Sequence, residues 1–285
     1  MDAHLISILV RTKNDEAFIE RTLKALLSQR CAFPFEIIVC DDASDDNTPR
    51  IIASVPQIAS VPRPEGAYMP GRTLNHLARH ANGDLLVFNN ADAIPQNDNY
   101  LQEILKPLLE TDAEAVYANQ LPRPDADWLV RKDNIRAFGD GKIASQWRFF
   151  FSMAASAARK TTIMEHPFNE TIRYSEDVEW AYSNRLRIAY AKDALVEHSH
   201  NYTFAQLKKR FHGEGYADAR IFGTVPSLFR SMLSAGMETL RDWAFLIRNP
   251  SGLRELPTAP VRRWLQKMSY RKGAIDYVRS LHSKG

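Results

Sequence analysis

The sequence predicts an α/β protein with a doubly wound, mostly parallel sheet, followed by a helical C-terminal extension. Over the first 120 residues, short apolar runs alternate with stretches whose apolar residues recur at helical spacing. This β-α-β-α order is typical of a parallel sheet with helices on both faces. The charge then changes along the chain: residues 201–285 carry 15 Lys and Arg against 6 Asp and Glu, whereas residues 1–200 carry 22 against 28. We therefore predict two domains with different roles, at 1–203 and 204–285.

Four strands and four helices are predicted in the first 120 residues. The strands are short apolar runs at Leu5–Val10, Glu36–Cys40, Leu85–Phe88 and Ala113–Tyr117. The first helix, Asp15–Gln29, carries apolar residues at helical spacing, and a short second one opens at Thr48-Pro49, a favourable pair for a helix start. The other two are Arg72–Ala81, which stops at Asn82-Gly83, and Asn99–Thr111.

The rest of the first predicted domain is less regular. The polar segment 119–147 contains two prolines and two glycines and is predicted to be a long functional or mobile loop. An apolar pattern resumes at Arg148–Met153, and a helix is predicted at Glu176–Leu186 with Ser175 as its N-cap. A short strand follows at Ala194–Val196, and the chain beyond residue 202 is predicted to be helical.

The composition excludes several classes of protein. With 45% hydrophobic and 25% charged residues, the 285-residue chain is an ordinary globular protein, not a disordered or collagenous one. Its two cysteines, Cys31 and Cys40, cannot form a disulfide framework, and no Cys/His spacing resembles a zinc site. The apolar runs are far shorter than the roughly 18 residues of a spanning helix, and no secretory signal pattern is present. We expect a cytoplasmic protein.

Polar and acidic residues follow three of the predicted strands. They are the segments Arg11–Asn14, Asp41–Asp46 and Asn89–Asp92. In open α/β sheets ligands bind beyond the carboxyl ends of the strands, so these segments mark the site. None of them is a glycine-rich phosphate loop. A nucleotide bound here would therefore be held by carboxylates and a metal.

Five motifs, in this order along the chain, resemble those of family-2 glycosyltransferases, which have the GT-A fold. They are Ser7–Asn14, Ile38–Thr48, Gly71–Asn75 with Gly83-Asp84, Asp92–Pro95, and Glu176–Trp180. Each motif alone is weak, but the ordered set is specific. Two further segments, Gln120–Pro124 and His198–Tyr202, are similar to those of bacterial rhamnosyltransferase-like members.

The resemblance implies a divalent cation, Mn²⁺ or Mg²⁺, that stabilises the departing diphosphate. Asp92 is the predicted ligand, joined by His198 and His200, whose side chains share one face if the segment is extended. The alternative for Asp92 is a turn or capping aspartate before Ile94. The family's motif usually carries a first acidic residue two positions before Asp92, where this chain has Asn90, which we place among the substrate-binding residues.

The nucleotide site is also implied by the resemblance. Residues at three strand ends and on one helix match positions near the base, ribose and phosphates: Thr12, Asn14, Asp41, Asp42, Arg72 and Asn75. The alternative for Asp42 is that it only forms the turn.

The acceptor side is predicted at Glu176–Trp180. Asp177 matches the family's general base, with Glu176 beside it and Trp180 as a further substrate-binding residue. Acidic residues also favour the first turn of a helix because of its dipole, which is the alternative explanation. As the base, Asp177 is expected to have a pKa lowered by the helix terminus.

The tail interleaves aromatic and basic residues, which is typical of a surface that binds anionic membranes: Trp243, Phe245, Trp264 and Tyr270 with Arg241, Arg248, Arg262, Arg263, Lys267, Arg271 and Lys272. A solvated helical subdomain and an oligomer contact are alternatives, while nucleic acid is disfavoured by the acidic body.

Together the motifs predict an inverting, metal-dependent glycosyltransferase. Its donor would be a dTDP- or UDP-sugar, with rhamnose favoured, and its acceptor a saccharide or lipid-linked saccharide of a bacterial surface polysaccharide at the inner membrane face. Two alternatives stay open at this point: a sugar nucleotidyltransferase, and a GT-A-like binding module without catalysis.

Overall fold

The computed structural model describes residues 4–283, without the side chains of residues 144 and 145. The chain divides into two compact units. The first contains the chain up to Leu121, Arg136–Thr171 and Glu176–His198. The second contains Pro122–Ile135, Ile172–Ser175 and the chain from Ser199 onward.

Among the described residues, eight strands of the first unit form one mixed sheet in the order β3-β2-β1-β4-β7-β6-β8-β5. Neighbours β3, β2, β1 and β4 are parallel, β7 runs antiparallel to β4 and β6, and β8 is parallel to β6. The strands are β1 Ile6–Thr12, β2 Phe35–Asp41, β3 Ile58–Val61, β4 Leu85–Asn90, β5 Ile94–Pro95, β6 Ala115–Leu121, β7 Ala155–Arg159 and β8 Ile188–Glu197. The mostly parallel α/β architecture predicted from the sequence is therefore confirmed.

The helices, in chain order, are α1 Ile19–Leu27, α2 Thr48–Ala53, α3 Pro70–His80, α4 Tyr100–Glu110, α5 Trp128–Asn134, α6 Lys142–Gln146, α7 Lys160–Glu165, α8 Glu176–Ser183, α9 Phe204–Phe222, α10 Leu228–Arg248 and α11 Ala259–His282. A π-helical turn at Ile135–Gly139 follows α5, and a 3₁₀ helix at Pro250–Glu255 follows α10. None of the helices within residues 4–283 is both long and apolar enough to cross a membrane.

The sheet is buried on both faces, which explains why its central strands are almost continuously apolar. Along β1, Ile8 and Val10 pack on one side with α1 and α4, and Leu9 packs on the other side with α3 and α8. Because neighbouring β1, β2 and β4 are parallel, their carboxyl ends meet at one edge, with Thr12 beside Asp41 and Arg11 beside Asn90. This register positions the site.

The predicted long loop at 119–147 is wrong. Strand β6 continues to Leu121, and α5, the π-helical turn and α6 occupy much of the remainder. Strand β7 was missed because its sequence, Ala-Ser-Ala-Ala-Arg, has no β-branched or aromatic residue, although it pairs on both sides. Residues 148–153, where an apolar pattern resumes, contain no helix or strand.

Three predicted helix ends also differ. Helix α2 starts at Thr48, so Asn47 is its N-cap. Pro49 is therefore the second residue of the helix, whereas the sequence predicted it as the first. Helix α3 begins at Pro70 and ends before Ala81, whose backbone is extended. Gly83 therefore does not end the helix as the sequence predicted. A glycine is needed there because a side chain would come within 2.5 Å of the Leu5 carbonyl oxygen. Ser175 has a left-handed backbone conformation (φ 57°). Its hydroxyl forms a hydrogen bond with Asp218, and both residues belong to the second unit.

The second unit is held by buried charges. Asp242 of α10 is completely buried and receives Lys132 of α5 at 2.5 Å and Arg263 of α11 at 2.6 Å. Arg263 also binds Asp133 at 2.7 Å, so buried Asp242 and Arg263 each have an opposite charge beside them, as burial requires. Helices α9 and α11 pack closely at Gly215 and Gly273, where any side chain would collide with the facing backbone.

Candidate active site

A cavity of about 250 Å³ opens in the first unit at the carboxyl ends of β1, β2 and β4. It lies where the sequence placed it, because the three strand ends converge there. Four of the predicted site residues contribute to its lining: Thr12, Asp42, Asn90 and Asp92. The remaining lining residues are Arg11, Lys13, Asp15, Cys40, Tyr68, Thr73 and Ala91.

The two aspartates that follow β2 have different surroundings. Asp41 accepts hydrogen bonds from the backbone N–H and the hydroxyl of Ser44, so it forms the turn and does not line the cavity. Asp42 is buried at the cavity wall, with Lys13 Nζ at 3.5 Å and Arg63 at 3.4 Å from its carboxylate oxygens. The turn-forming alternative considered for Asp42 therefore applies to Asp41.

Asn14 joins two loops beside the cavity. Its backbone N–H donates to the Ser44 hydroxyl, and its side-chain oxygen accepts from the Asp45 N–H at 2.9 Å. Its φ of 55° is left-handed, a conformation that asparagine tolerates better than most residues. Asn14 therefore supports the loops that hold Thr12 and Asp42, and its contact with the nucleotide stays a prediction.

Asp92 and His198 form the pair that could hold a metal ion. Asp92 Oδ1 lies 3.5 Å from His198 Nε2, and both side chains are mostly buried. The other ring nitrogen, Nδ1, lies 2.8 Å from Gln120 Oε1, while the Gln120 amide nitrogen donates to Ser152. Because Gln120 Oε1 can only accept, His198 carries its proton on Nδ1. Nε2 is then a lone-pair donor facing a carboxylate, which is the ligand arrangement of a cation site.

His200, the third predicted ligand, belongs to the second unit, which resumes at Ser199. There its ring packs against Tyr202, with ring centroids 5.5 Å apart. Its role as a ligand stays a prediction.

Arg11 links the cavity to α8. Its Nε donates to Asn90 Oδ1 at 2.9 Å, and one terminal nitrogen binds Glu176 Oε1 at 3.1 Å. The same nitrogen lies 3.5 Å from the Tyr68 hydroxyl. Asn90, the residue that departs from the family's acidic motif, therefore accepts a hydrogen bond from the guanidinium of Arg11 in the cavity wall. Glu176 is buried and its charge is paired, which fits a role in positioning Arg11.

Asp177 has the electrostatic character of a proton acceptor at neutral pH, although neither it nor Glu176 lines the cavity directly. Burial, followed by the negative charge of Glu176, raises the pKa of Asp177 to about 7. The expected lowering of this pKa by the helix terminus is therefore wrong. Asp177 does accept from the Val178 and Met153 N–H groups, but these bonds only partly offset burial.

Helix α3 contributes less to the cavity than its motif suggested. Asn75 is buried, and its amide binds the backbone of Phe168 and the side chain of Glu170. Arg72 donates to the Glu65 carbonyl, and neither Arg72 nor Asn75 lines the cavity. A side chain at Gly71 would collide with the backbone of residue 169. These residues of the motif hold the loop at 168–170 against α3.

Trp180 is a core residue. It is 1% exposed, packs between Phe151 and Phe168, and donates its indole N–H to the His166 carbonyl. The predicted substrate contact of Trp180 is therefore wrong, because its ring has no surface to offer.

Sequence reasoning missed several residues of the cavity wall. Asp15 accepts from the Thr12 hydroxyl at 2.8 Å, and its pKa is raised by burial despite this bond. Lys13 donates to the Asp42 carbonyl at 2.7 Å, so it supports the loop that follows β2. Arg11 and Lys13 lie within the segment Arg11–Asn14, which the strand-end rule selects, and this was the available signal. Thr73 lies within the motif Gly71–Asn75, whereas Tyr68 had no comparable signal.

Comparison with known proteins gives one family match and two informative relatives. The family model is glycosyl transferase family 2, which matches residues 7–176. The O-antigen chain rhamnosyltransferase WbaN of Salmonella anatum is 30% identical over 234 residues, covering 76% of this chain and 73% of its own length. The O-antigen chain rhamnosyltransferase RfbN of Salmonella typhimurium is 25% identical over 262 residues, covering 86% and 82%.

Solved structures share the fold. A mannosyltransferase from Pyrobaculum calidifontis, solved with GDP-Man and Mn²⁺, has a TM-score of 0.64 at 18% identity, covering 98% of this chain and 88% of that one. Glucosyl-3-phosphoglycerate synthase from Mycobacterium tuberculosis, solved with Mn²⁺, UDP and glucosyl-3-phosphoglycerate, has a TM-score of 0.58 at 19% identity, covering 79% and 82%. The GT-A fold predicted from the sequence is confirmed by this likeness.

Proposed function

Because this chain belongs to glycosyl transferase family 2, we propose that it moves a sugar from a nucleoside-diphosphate donor to a saccharide or lipid-linked acceptor. It is a glycosyltransferase, as its sequence motifs predicted. Rhamnose is the favoured sugar, since both Salmonella relatives are named rhamnosyltransferases. Their names also support a role in the assembly of a bacterial surface polysaccharide. The proposed donor is a dTDP- or UDP-sugar, and the proposed location is the inner face of the membrane.

The observation that carries this proposal is the pair formed by Asp92 and His198 beside the strand-end cavity. A carboxylate oxygen and an imidazole nitrogen lie 3.5 Å apart, and Gln120 directs the lone pair of that nitrogen toward the carboxylate. With its imidazole nitrogen this donor set fits Mn²⁺ better than Mg²⁺, which prefers oxygen ligands, and His200 is a proposed third ligand. The bound cation would act as a Lewis acid toward the diphosphate.

The residues of the chain provide the other parts of the transfer. Thr12 and Asp42, at the ends of β1 and β2, are proposed to orient the nucleoside. Arg11 adds positive charge to the cavity wall, where the metal motif has only one carboxylate. We assign to Arg11 a contact with the diphosphate as it departs, since fixed charge directed at developing charge lowers the barrier.

Asp177 is the proposed base for the acceptor hydroxyl. The acceptor oxygen bonds to the anomeric carbon while the bond between that carbon and the diphosphate oxygen breaks. The hydroxyl proton passes to Asp177, and the nucleoside diphosphate leaves with the bonding electrons. A single displacement of this kind inverts the anomeric configuration. Glu176 keeps Arg11 in place through their 3.1 Å ion pair.

A donor panel tests the proposal. Purified protein with Mn²⁺ and a saccharide acceptor mixture should release nucleoside diphosphate from one of dTDP-, UDP- or GDP-sugars, with a glycosylated product detected by mass spectrometry. If pyrophosphate is added, formation of a nucleoside triphosphate and a sugar 1-phosphate instead would indicate a nucleotidyltransferase. The proposal fails if neither diphosphate release nor a glycosylated product is found with any of these donors.

A further inference from the structure

Helix α10 has its polar side buried and its apolar side exposed, the reverse of an ordinary surface helix. Its buried residues are mostly polar or acidic: Ser231, Ala235, Glu238, Thr239, Asp242 and Leu246. Glu238 and Asp242 face inward because they pair with Lys132 and Arg263 inside the second unit. Most of the large apolar residues of α10 therefore point away from the core of the unit, with Phe245 and Leu246 as exceptions.

These exposed residues form a continuous apolar stripe, made of Phe229, Leu233, Met237, Leu240, Trp243 and Ile247. Phe229, Leu240 and Ile247 are the most exposed, at 74%, 63% and 65%. At about 100° per residue the six lie within an arc of about 120°, and the stripe is about 27 Å long. Such a stripe is costly in water and marks an interaction surface.

The exposed charges on α10 itself are all positive. On α10 both acidic residues are buried, and the exposed charged residues are Arg230, Arg241 and Arg248. The helical period places all three along the same flank of the stripe. Arg241 is partly neutralised by Glu238, 2.6 Å away, which leaves Arg230 and Arg248 at the two ends as the stronger positive sites.

We propose that this face of α10 binds an anionic phospholipid bilayer, with the apolar stripe in the acyl boundary and the arginines among the headgroups. A one-sided apolar face with basic residues beside it is the pattern of helices that lie in the membrane interface. A second copy of the chain fits less well, because it would bring the same arginines and no exposed acid on this helix. The assignment goes beyond sugar transfer and does not depend on it.

Several of the basic and aromatic tail residues that the sequence suggested for membrane binding are used inside the second unit. Arg262 and Arg263 are buried, and Arg263 is committed to Asp133 and Asp242. Tyr270 donates to Asp218 at 2.7 Å inside the unit. The net positive charge of residues 201–285 is thus partly used in folding, and α10 carries the surface argued for here.

Vesicle sedimentation of the full chain tests the assignment. We expect binding to phosphatidylcholine vesicles with about 30% phosphatidylglycerol, much weaker binding to pure phosphatidylcholine, and weakening by added NaCl. Arg230→Gln/Arg248→Gln should weaken anionic binding about 25-fold, at about fivefold for each arginine near the surface. Leu240→Ser/Ile247→Ser should weaken it at least about tenfold, because less apolar area is buried.

Matched controls come from the first unit. Arg50→Gln/Arg79→Gln removes the same charge, and Leu109→Ser/Met164→Ser removes exposed apolar side chains. Both should bind like the wild type, with all melting temperatures alike. Equal binding to neutral vesicles, no binding by the wild type, or controls as damaging as the α10 variants would overturn the assignment. So would a wild-type dimer, measured by light scattering without vesicles, that Leu240→Ser/Ile247→Ser converts to a monomer.

Discussion

The pKa of Asp177 predicts that sugar transfer depends steeply on pH across the neutral range. Asp177 can accept a proton only as a carboxylate, and burial with the nearby charge of Glu176 raises its pKa to about 7. Below that pH the group is protonated and inactive, so the rate must rise as the pH increases. The opposite slope would require a group that works in its protonated form.

The size of the change in kcat/KM between about pH 6 and about pH 8 follows from the pKa of Asp177. With a value of about 7, about a tenth of the molecules carry the carboxylate near pH 6 and about nine tenths near pH 8, so kcat/KM for the acceptor should rise about tenfold. The assay is the initial rate of transfer at low acceptor concentration, with donor and Mn²⁺ saturating at each pH. Saturation keeps loss of metal or donor from limiting the rate.

One substitution should move this pH profile. Glu176→Gln removes the like charge that helps raise the pKa of Asp177, so the rising limb should shift to lower pH, whatever happens to the maximal rate. Glu179→Gln is the control, because Glu179 lies in the same first turn but bonds to Asn169 and Ser183. A flat profile between about pH 6 and pH 8, or a limb that Glu176→Gln leaves in place, would refute the reasoning.

Three further substitutions test the individual assignments. Asp177→Asn should slow transfer about 10²–10⁴-fold without changing donor affinity, and a variant that keeps more than about a tenth of the rate would exclude Asp177 as the base. Arg11→Gln should lower kcat about 10²-fold with an unchanged circular dichroism spectrum, whereas an effect on KM alone would argue against a transition-state contact. Gln120→Leu should weaken Mn²⁺ binding about 10–100-fold in calorimetry, because His198 loses the acceptor that fixes its tautomer; unchanged affinity would contradict that role.

The predictability of the fold follows from where its signals lie. Strands β1, β2 and β4 are buried on both faces, so their apolar runs stand out in the sequence. Strand β7 consists largely of alanine, and β5 has only two residues, so their pairing depends on neighbours distant in the chain. Helices α5 and α6 lie among prolines and glycines that are typical of loops. Local composition was misleading in these segments.

The site was predictable in location but only partly in its contacts. The strand-end rule brought Thr12, Asp42 and Asp92 to one cavity. Motif resemblance assigned Asn75 and Trp180 to the substrate, yet tertiary packing uses both to hold the surrounding structure. The direction of the Asp177 pKa shift depends on burial and a neighbouring carboxylate, which no helix-end argument supplies.

Metal-dependent binding of a nucleoside diphosphate is the most direct test of the central claim, that the cavity holds the donor through Asp92. Titration calorimetry with UDP, dTDP and GDP should find at least one that binds in Mn²⁺ and binds at least about tenfold more weakly without it. Asp92→Asn should abolish that dependence on Mn²⁺. The control Asp112→Asn, which changes an exposed surface carboxylate, should behave like the wild type. An Asp92→Asn variant with the wild-type dependence on Mn²⁺, or a wild type that binds none of the three nucleotides, would contradict the account.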